Sequence, residues 1–224
     1  MIMKNRDTRM AVFDLDGTLL DTKDALTENV VRTLAHLGVN VRPQDVRGDW
    51  YALAEQYGKS PEQFDRAYRE VVSWEDLLKE GKIKMFNDAV PCLDNLAGRG
   101  VVLSLLTRSN PEFTRKKIMY FGLDRYFGDR IAITPTDALD KVPEARQLLR
   151  KVGERRFSQV YFIGDKEEDL APADYMPEGI ECHKFLVDRK KIEPEAFPHQ
   201  NRYVIPSLDL LTKFTGLNQD GGTY

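Results

Sequence analysis

Two aspartates separated by one residue follow an apolar run near the start of the sequence. The run spans 10–13, and Asp14, Leu15, Asp16 and Gly17 come directly after it. In an extended chain residues i and i+2 face the same side, so Asp14 and Asp16 can reach one site. Gly17 allows a tight turn and a close approach of the backbone to a ligand. An ordinary Asp-Gly turn would account for the same residues, so both interpretations stay open for this segment alone.

A second acidic group follows another apolar run, at 160–163. Asp165 comes two residues after that run and Asp169 four residues later, so a helix starting at Asp165 would place both carboxylates on one face. Carboxylates gathered at one end of a sheet repel one another unless a cation joins them. Mg²⁺ fits, because it commonly binds one or two carboxylates together with a substrate phosphate. The alternative is helix capping by Asp165 with an acidic first turn, which the helix dipole favours.

Two further segments could contact phosphate. Thr107 follows the strongest apolar run, and a helix is predicted to begin at Asn110. A hydroxyl beside the N–H groups of a helix start can cradle phosphate, although Ser109 or Asn110 could serve only as a helix cap. Lys141 precedes another predicted helix and could supply positive charge, although a surface lysine is the commoner reading of one residue. The four segments are stronger evidence together than any one alone, because each follows a predicted strand.

The elements that must position these residues alternate between strands and helices. Strands are predicted at the apolar runs 10–13, 101–106, 131–133 and 160–163, and more weakly at 182–187 and 203–205. Helices are predicted at 88–96, 110–120 and 142–152. This alternation predicts an α/β fold, a Rossmann-like three-layer core with a mainly parallel sheet and right-handed crossovers.

One segment interrupts the alternation. Between residues 22 and 84 we predict helices and no strand, at 25–37, 43–57 and 60–80, with an irregularity at Gly48. A helical block between the first two strands indicates an insert. The polar, proline-containing stretch 188–201 is predicted to be a surface loop.

Composition limits the function classes. The chain has 224 residues, a formal net charge of −3 and 42% hydrophobic residues, so it can form a core and carries no long basic block typical of a nucleic-acid module. No apolar run approaches the ~20 residues that span a bilayer, and the amino terminus shows no leader pattern. We expect a cytoplasmic protein without a membrane partner. Cys92 and Cys182 are expected to be inert thiols.

The motifs in this order resemble those of the haloacid dehalogenase superfamily, on its phosphatase side and of a phosphoglycolate phosphatase-like type. The matching positions are 13–21 for the first motif, Thr107 for the second, Lys141 for the third and 164–169 for the fourth. The third motif departs from the family pattern, because the chain reads Lys141-Val142-Pro143 where members of this type usually have Lys-Pro-x-Pro. The resemblance implies a core formed by residues 1–20 and 85–224 and a small helical first-position cap formed by residues 21–84. Such a cap would exclude water and select the substrate.

The same resemblance implies roles for individual residues. Asp14 would be the nucleophile that forms an aspartyl-phosphate, and Asp16 would act first as general acid and then as general base. Mg²⁺ would be held by Asp14, Asp165 and the Asp16 carbonyl, with Asp169 as a ligand or directly behind the ligands. The residues expected to contact phosphate are Gly17, Thr107, Arg108 and Lys141. An aspartate at position 16 favours phosphoryl transfer, because the dehalogenases and phosphonatases of the superfamily usually carry a non-acidic residue there.

Three functions stay open from the sequence. The first is a phosphatase acting on a small phosphorylated metabolite, and the second is a phosphomutase of the β-phosphoglucomutase type. The third is a non-catalytic regulatory or binding protein that has kept the fold. A nucleic-acid phosphatase is disfavoured by the lack of a basic stripe. The substrate and the oligomeric state are left open.

Overall fold

The computed structural model describes residues 8–47, 50–71, 73–135, 138, 140–153 and 157–215. The chain forms two compact units. The first combines Met1–Leu20 with Met85–Tyr224, and the second is Asp21–Lys84.

The larger unit is built on a seven-stranded sheet. The strands of the described chain are β1 Thr8–Phe13, β2 Leu20–Asp21, β3 Lys84–Met85, β4 Val102–Arg108, β5 Ile131–Thr134, β6 Phe157–Gly164, β7 Glu181–Val187, β8 Glu195–Phe197 and β9 Arg202–Ile205. The order across the large sheet is β5-β4-β1-β6-β7-β9-β8, and β8 alone among these seven is antiparallel. The short strands β2 and β3 pair with each other at the two points where the chain passes between the units. This mostly parallel sheet with flanking helices is a Rossmann-like α/β fold, as the sequence predicts.

The helices of the larger unit are α5 Ala89–Gly98, α6 Pro111–Tyr120, α7 Asp124–Phe127, α8 Val142–Val152, α9 Glu167–Leu170 and α10 Leu211–Phe214. The start of α6 is fixed as predicted, because the Asn110 side chain accepts hydrogen bonds from the N–H groups of Glu112 and Phe113. The end of α8 is also as predicted, since Gly153 takes the left-handed conformation there.

The central strand β1 is buried on both faces. Met10 and Val12 belong to a hydrophobic cluster that includes Leu148 of α8 and Phe162 of β6. Phe13 points to the opposite face and is also fully buried. Burial on both faces explains why these strands are continuous apolar runs rather than alternating ones.

The smaller unit is helical, with α1 Lys23–His36, α2 Trp50–Gln56, α3 Pro61–Val71 and α4 Trp74–Lys79. Its core cluster includes Val30, Leu34 and Phe64, and the ring of Trp50 stacks on that of Tyr68 at 6.5 Å between centroids. Aromatic side chains therefore pack between α2 and α3 in this unit.

Four details of the predicted elements are wrong. The helix predicted at 60–80 is two helices, because the Ser73 hydroxyl accepts from the Asp76 N–H and starts a new one. The helix predicted at 43–57 is a 3₁₀ turn at Pro43–Asp45 followed by α2, and Gly48 lies outside the described residues. The loop predicted at 188–201 contains β8, which pairs with the free edge of β9. The helix predicted to start at Asp165 begins at Glu167 instead.

No helix in the described ranges combines the length and the apolar character needed to cross a bilayer.

Candidate active site

The side chains singled out in the sequence converge at the carboxyl edge of the sheet. Asp14 follows β1 directly, and its N–H donates to the carbonyl of Ile163 on β6 at 2.8 Å. Thr107 lies near the end of β4, and Asp165 follows β6. Ligands of open α/β sheets bind at this edge, because the turns there leave side chains and backbone N–H groups free of the ladder.

Lys141 lies at the centre of the group. Its Nζ donates to Asp14 Oδ1 at 2.7 Å and to Asp169 Oδ1 at 2.5 Å, and its side chain is 2% exposed. Burial by itself lowers the pKa of this lysine, but the charges of Asp14 and Asp169 outweigh burial and raise the pKa. Lys141 is therefore a fixed positive charge between two of the carboxylates.

The carboxylates Asp14, Asp165 and Asp169 form a cluster that could hold a metal ion. One oxygen from each lies within 4.8 Å of the others. Burial and the charge of Asp169 raise the pKa of Asp14, and Lys141 opposes this only in part. The same two causes raise the pKa of Asp165 to about 6. Lys141 is the buried lysine that faces these three carboxylates, and Lys166 acts on Asp165 from an exposed position, so the buried cluster is short of positive charge.

This shortage fits a divalent cation with oxygen ligands. Asp165 Oδ1 is buried and makes no hydrogen bond within the described part of the chain. A buried carboxylate oxygen without a partner is costly, and a metal ion would remove that cost. Hard cations such as Mg²⁺ prefer carboxylate oxygens, so the residues present fit the magnesium site expected from the sequence.

Two glycines allow the carboxylates to come this close. Gly17 has a φ of 92°, and a Cβ placed there would lie 2.4 Å from Asp165 Oδ2. A Cβ on Gly164 would lie 2.1 Å from the Cβ of Asp169. Both distances are far below van der Waals contact, so the absence of a side chain at these positions is a requirement of the site.

Asp16 is held by a lysine that the sequence reasoning missed. Lys117, on α6, is fully buried, and its Nζ donates to Asp16 Oδ1 at 2.7 Å and Oδ2 at 2.5 Å. The signal was present in the helical spacing, because Thr114 and Ile118 are buried on the same face of α6. A lysine on the buried face of a helix indicates a buried carboxylate partner.

The family can be decided by comparison with known proteins. The family model described as haloacid dehalogenase-like hydrolase matches residues 8–175, which is three quarters of the chain. This chain belongs to the haloacid dehalogenase-like hydrolase family. The resemblance seen in the sequence is therefore confirmed at the level of the family.

Relatives of this haloacid dehalogenase-like hydrolase carry several names. It is 24% identical to a phosphoglycolate phosphatase of Yersinia pestis over 192 residues, covering 77% of this chain and 79% of the relative. It is 28% identical to a 5'-nucleotidase of Pseudomonas aeruginosa over 187 residues, covering 76% and 79%. Its fold matches the solved structure of protein tyrosine kinase A of Mycobacterium tuberculosis with a TM-score of 0.68 and 23% identity. The match covers 94% of this chain and 99% of that one. The last likeness shows the fold alone.

The third motif of this haloacid dehalogenase-like hydrolase departs from the family pattern without moving its lysine away. Lys141 directly precedes α8, with Pro143 in the first turn of the helix. The Lys141 side chain still reaches Asp14, so the missing proline of the family pattern does not prevent this contact.

Asp165 and Asp169 meet by a turn and not by one helical face, which corrects the sequence reasoning. Lys166 is extended, and its N–H donates to Asp169 Oδ2 at 3.0 Å. This hydrogen bond folds the Asp169 side chain back toward the end of β6 and toward Asp165.

Hydroxyl and guanidinium groups also lie buried at the candidate site. Thr107 Oγ1 and Thr18 Oγ1 are buried and make no hydrogen bond within the residues that the structure describes. Arg108 lies 3.3 Å from Glu168 through Nη1, while its Nε and Nη2 are buried without a hydrogen bond in the same described ranges. These groups are donors available to a ligand that has several acceptor oxygens, such as a phosphate.

Proposed function

We propose that this chain is a Mg²⁺-dependent phosphatase that hydrolyses small phosphate monoesters through an aspartyl-phosphate on Asp14. The observation that carries the proposal is the position of Asp14, which is buried beside Lys141, Asp165 and Asp169, with Asp16 two residues further on. Membership of a hydrolase family supports hydrolysis. The relatives named phosphoglycolate phosphatase and 5'-nucleotidase support a phosphate ester as the substrate.

In the first step an oxygen of Asp14 attacks the phosphorus atom. The bond between phosphorus and the ester oxygen breaks, and Asp16 gives a proton to the departing oxygen. Lys141 Nζ is held beside Asp14 and offsets negative charge on the phosphoryl oxygens. The Thr107 hydroxyl and the Arg108 guanidinium donate to those oxygens, and Gly17 lets the backbone approach them.

In the second step water attacks the phosphorus atom of the aspartyl-phosphate. Asp16, now a carboxylate, takes a proton from the water, and the bond between phosphorus and the Asp14 oxygen breaks. Inorganic phosphate is released, and both aspartates return to their starting states. One carboxylic acid serves both steps because the first step consumes the proton that the second step supplies.

The metal site is proposed to use Asp14, Asp165 and the Asp16 carbonyl, with Asp169 as a ligand or directly behind the ligands. Mg²⁺ would supply positive charge that draws the phosphoryl group and the carboxylates into one site. The excess of buried carboxylates over buried lysine in the cluster supports this assignment, as does Asp165 Oδ1, which has no hydrogen bond among the described residues.

The helical unit Asp21–Lys84 is proposed to be the cap that selects the substrate, and the rest of the chain is proposed to be the catalytic core. The support is its place in the sequence between the first motif and the second, together with its own hydrophobic core. We propose a small phosphorylated metabolite as the substrate.

The proposal is tested with para-nitrophenyl phosphate and a panel of phosphorylated metabolites, measuring released phosphate in the presence of Mg²⁺. We expect Asp14→Asn to abolish release, EDTA to abolish it in the parent, and added Mg²⁺ to restore it. Asp174→Asn is the control, because Asp174 pairs with Lys184 and lies outside the site. Full activity of Asp14→Asn would contradict the mechanism.

Phosphate release without any bisphosphate activator separates hydrolysis from a mutase reaction. Transfer of phosphate within a sugar phosphate, without release, would replace the phosphatase by a phosphomutase. Absence of both reactions over the whole panel would favour a binding protein.

A further inference from the structure

We infer that Lys117 is a positioning residue that fixes the carboxylate of Asp16 for its two proton transfers. The inference rests on the proposed function, because it assigns Asp16 the role of general acid and base. Neither the four motifs nor the family match points to Lys117. The contact joins residues 101 positions apart in the sequence.

The contact between Lys117 and Asp16 restricts the movement of both side chains. Lys117 Nζ donates to both oxygens of Asp16, at 2.7 and 2.5 Å, while the lysine side chain is 0% exposed and that of Asp16 is 17% exposed. The lysine is therefore immobilised in the core, and the aspartate is held at the boundary between the core and the site. Each carboxylate oxygen can accept more than one hydrogen bond, so contact with Lys117 leaves acceptor positions open to a ligand.

Stability alone does not explain the lysine. A buried ion pair often contributes no more to stability than apolar side chains of similar volume, because both charges lose their hydration. Lys117 occupies a position on the buried face of α6, beside Ile118, where an apolar residue would ordinarily pack. The lysine is therefore better explained by its effect on the orientation of Asp16.

A fixed carboxylate matters because proton transfer depends on geometry. A positioned acid or base contributes about 10²- to 10⁴-fold to a rate, and a displacement of about 1 Å can cost about 10²-fold. Asp16 lies in a turn, where its side chain could take several rotamers. Two hydrogen bonds from a buried amine restrict it to one orientation.

The two steps respond differently when this orientation is lost. An ester with a poor leaving group, such as the alkyl ester phosphoglycolate, needs the proton from Asp16 to leave. An aryl ester such as para-nitrophenyl phosphate leaves without it. Hydrolysis of the aspartyl-phosphate needs Asp16 as base with either ester, but this step enters kcat and not kcat/KM.

The experiment compares Lys117→Met with the parent on both esters in the presence of Mg²⁺. We expect kcat/KM for phosphoglycolate to fall about tenfold to hundredfold, and kcat/KM for para-nitrophenyl phosphate to stay within about threefold. We expect kcat for the aryl ester to fall and the aspartyl-phosphate to accumulate, seen as a burst of nitrophenol. Lys117→Arg keeps the charge and the donors, and we expect it to restore most of the phosphoglycolate activity.

Lys184→Met is the matched control. Lys184 Nζ donates to both oxygens of Asp174, at 2.5 and 2.6 Å, so the variant removes a lysine-carboxylate pair with similar distances in a more exposed position away from the site. We expect no difference between the two esters in this variant. Thermal unfolding of every variant separates a change in rate from a loss of folded protein.

Equal losses on both esters in folded Lys117→Met, or no loss on either, would overturn the inference. If Lys117→Met does not fold, the double variant Asp16→Asn/Lys117→Met carries the test against Asp16→Asn. Equal rates of these two support action through Asp16, and a further loss in the double variant overturns it. If the parent does not hydrolyse phosphoglycolate, the alkyl ester of the panel that it hydrolyses best takes its place. A parent that hydrolyses no ester of the panel would contradict the proposed function instead, which keeps the two failures distinguishable.

Discussion

Single residues set the charge balance of the site. Among the described ion pairs, Lys117 faces the single carboxylate of Asp16, whereas Lys141 faces the three carboxylates Asp14, Asp165 and Asp169. The first pair is balanced and the second group is not. The balanced pair is suited to holding a side chain still, and the unbalanced group is suited to receiving a cation and a phosphate.

The balanced pair leads to a prediction about stability. Asp16→Asn removes the carboxylate that faces a fully buried lysine, so we expect the free energy of unfolding to fall by about 3 kcal/mol. Replacing both residues, as Asp16→Asn/Lys117→Met, removes both charges of this pair and should recover most of this loss. Urea unfolding measures both. Asp174→Asn is the control and should cost about 1 kcal/mol or less, because Asp174 is largely exposed.

The unpaired hydroxyl of Thr107 leads to a prediction about activity. Thr107→Val keeps the shape and removes only a buried hydroxyl that has no hydrogen bond within the described ranges. We expect unfolding to change by less than about 1 kcal/mol, since no bond is lost. We expect kcat to fall about 10²-fold, because a donor to the transferring phosphoryl group is missing. Unchanged kcat in folded protein would remove Thr107 from the site.

At the scale of elements, the turns after β1 and β6 decide how closely the carboxylates approach. Gly17 lies against Asp165 and Gly164 lies against Asp169. Neither glycine position has room for a methyl group. Parallel pairing of β1 with β6, with Phe13 opposite Ile163, brings the two turns side by side. The close approach of these carboxylates is therefore a product of strand register and of two missing side chains.

The close approach at β6 can be tested by one methyl group. Gly164→Ala places a Cβ 2.1 Å from the Asp169 Cβ, so the turn must open and the carboxylates separate. We expect at least about tenfold weaker activation by Mg²⁺, measured as activity against Mg²⁺ concentration, since ligand geometry governs affinity for this ion. Gly98→Ala is the matched control. Gly98 is the last residue of α5 and has no atom near its Cβ position, so this variant should leave activation unchanged.

At the scale of the whole molecule, Asp88 joins segments that are far apart in the sequence. Arg189 donates to both oxygens of Asp88, at 2.8 and 3.1 Å, and to the carbonyl of Thr18 at 2.8 Å. The Ser207 hydroxyl and the Leu208 N–H also donate to Asp88. Burial alone would raise the pKa of Asp88, but the hydrogen bonds from Arg189, Ser207 and Leu208 outweigh burial and lower it.

This network gives stability a pH dependence of known sign. The pKa of Asp88 is lower in the folded chain than the ordinary value of about 3.9, so the unfolded chain binds more protons and stability rises with pH there. We expect Asp88→Asn to cost about 2 kcal/mol at pH 7 and at pH 5. The difference from the parent should shrink below about pH 4, where the unfolded carboxylate takes up a proton, and should vanish at the lower pH at which the folded carboxylate is protonated as well.

Urea unfolding at several pH values checks this prediction, with Glu178→Gln as the control. Glu178 is exposed and lies outside the hydrogen bonds of Asp88, so its replacement should change unfolding by less than about 0.5 kcal/mol at any pH. A difference between Asp88→Asn and the parent that stays constant down to pH 3 would contradict the role of the Asp88 charge.

Local pattern was enough to predict the sheet and the position of the first candidate residues at its carboxyl edge. Continuous apolar runs are typical of strands buried on both faces, and a carboxylate directly after such a strand lies at its carboxyl end. For these reasons the sequence alone predicts that Asp14, Thr107 and Asp165 lie at one edge of the sheet. The start of α6 after Asn110 and the end of α8 at Gly153 could be predicted because helix capping depends on neighbouring residues only.

Only the tertiary structure decided which charges meet. The pairing of Asp16 with Lys117 and of Asp88 with Arg189 joins residues about 100 positions apart, and no local rule connects them. The turn that brings Asp169 to Asp165 depends on the Lys166 N–H, not on helical spacing. The Asp-Leu-Asp-Gly-Thr segment by itself determined that carboxylates stand at a strand end. The fold determined their neighbours, because the distance between charges is set by packing across the sheet and not by separation along the chain.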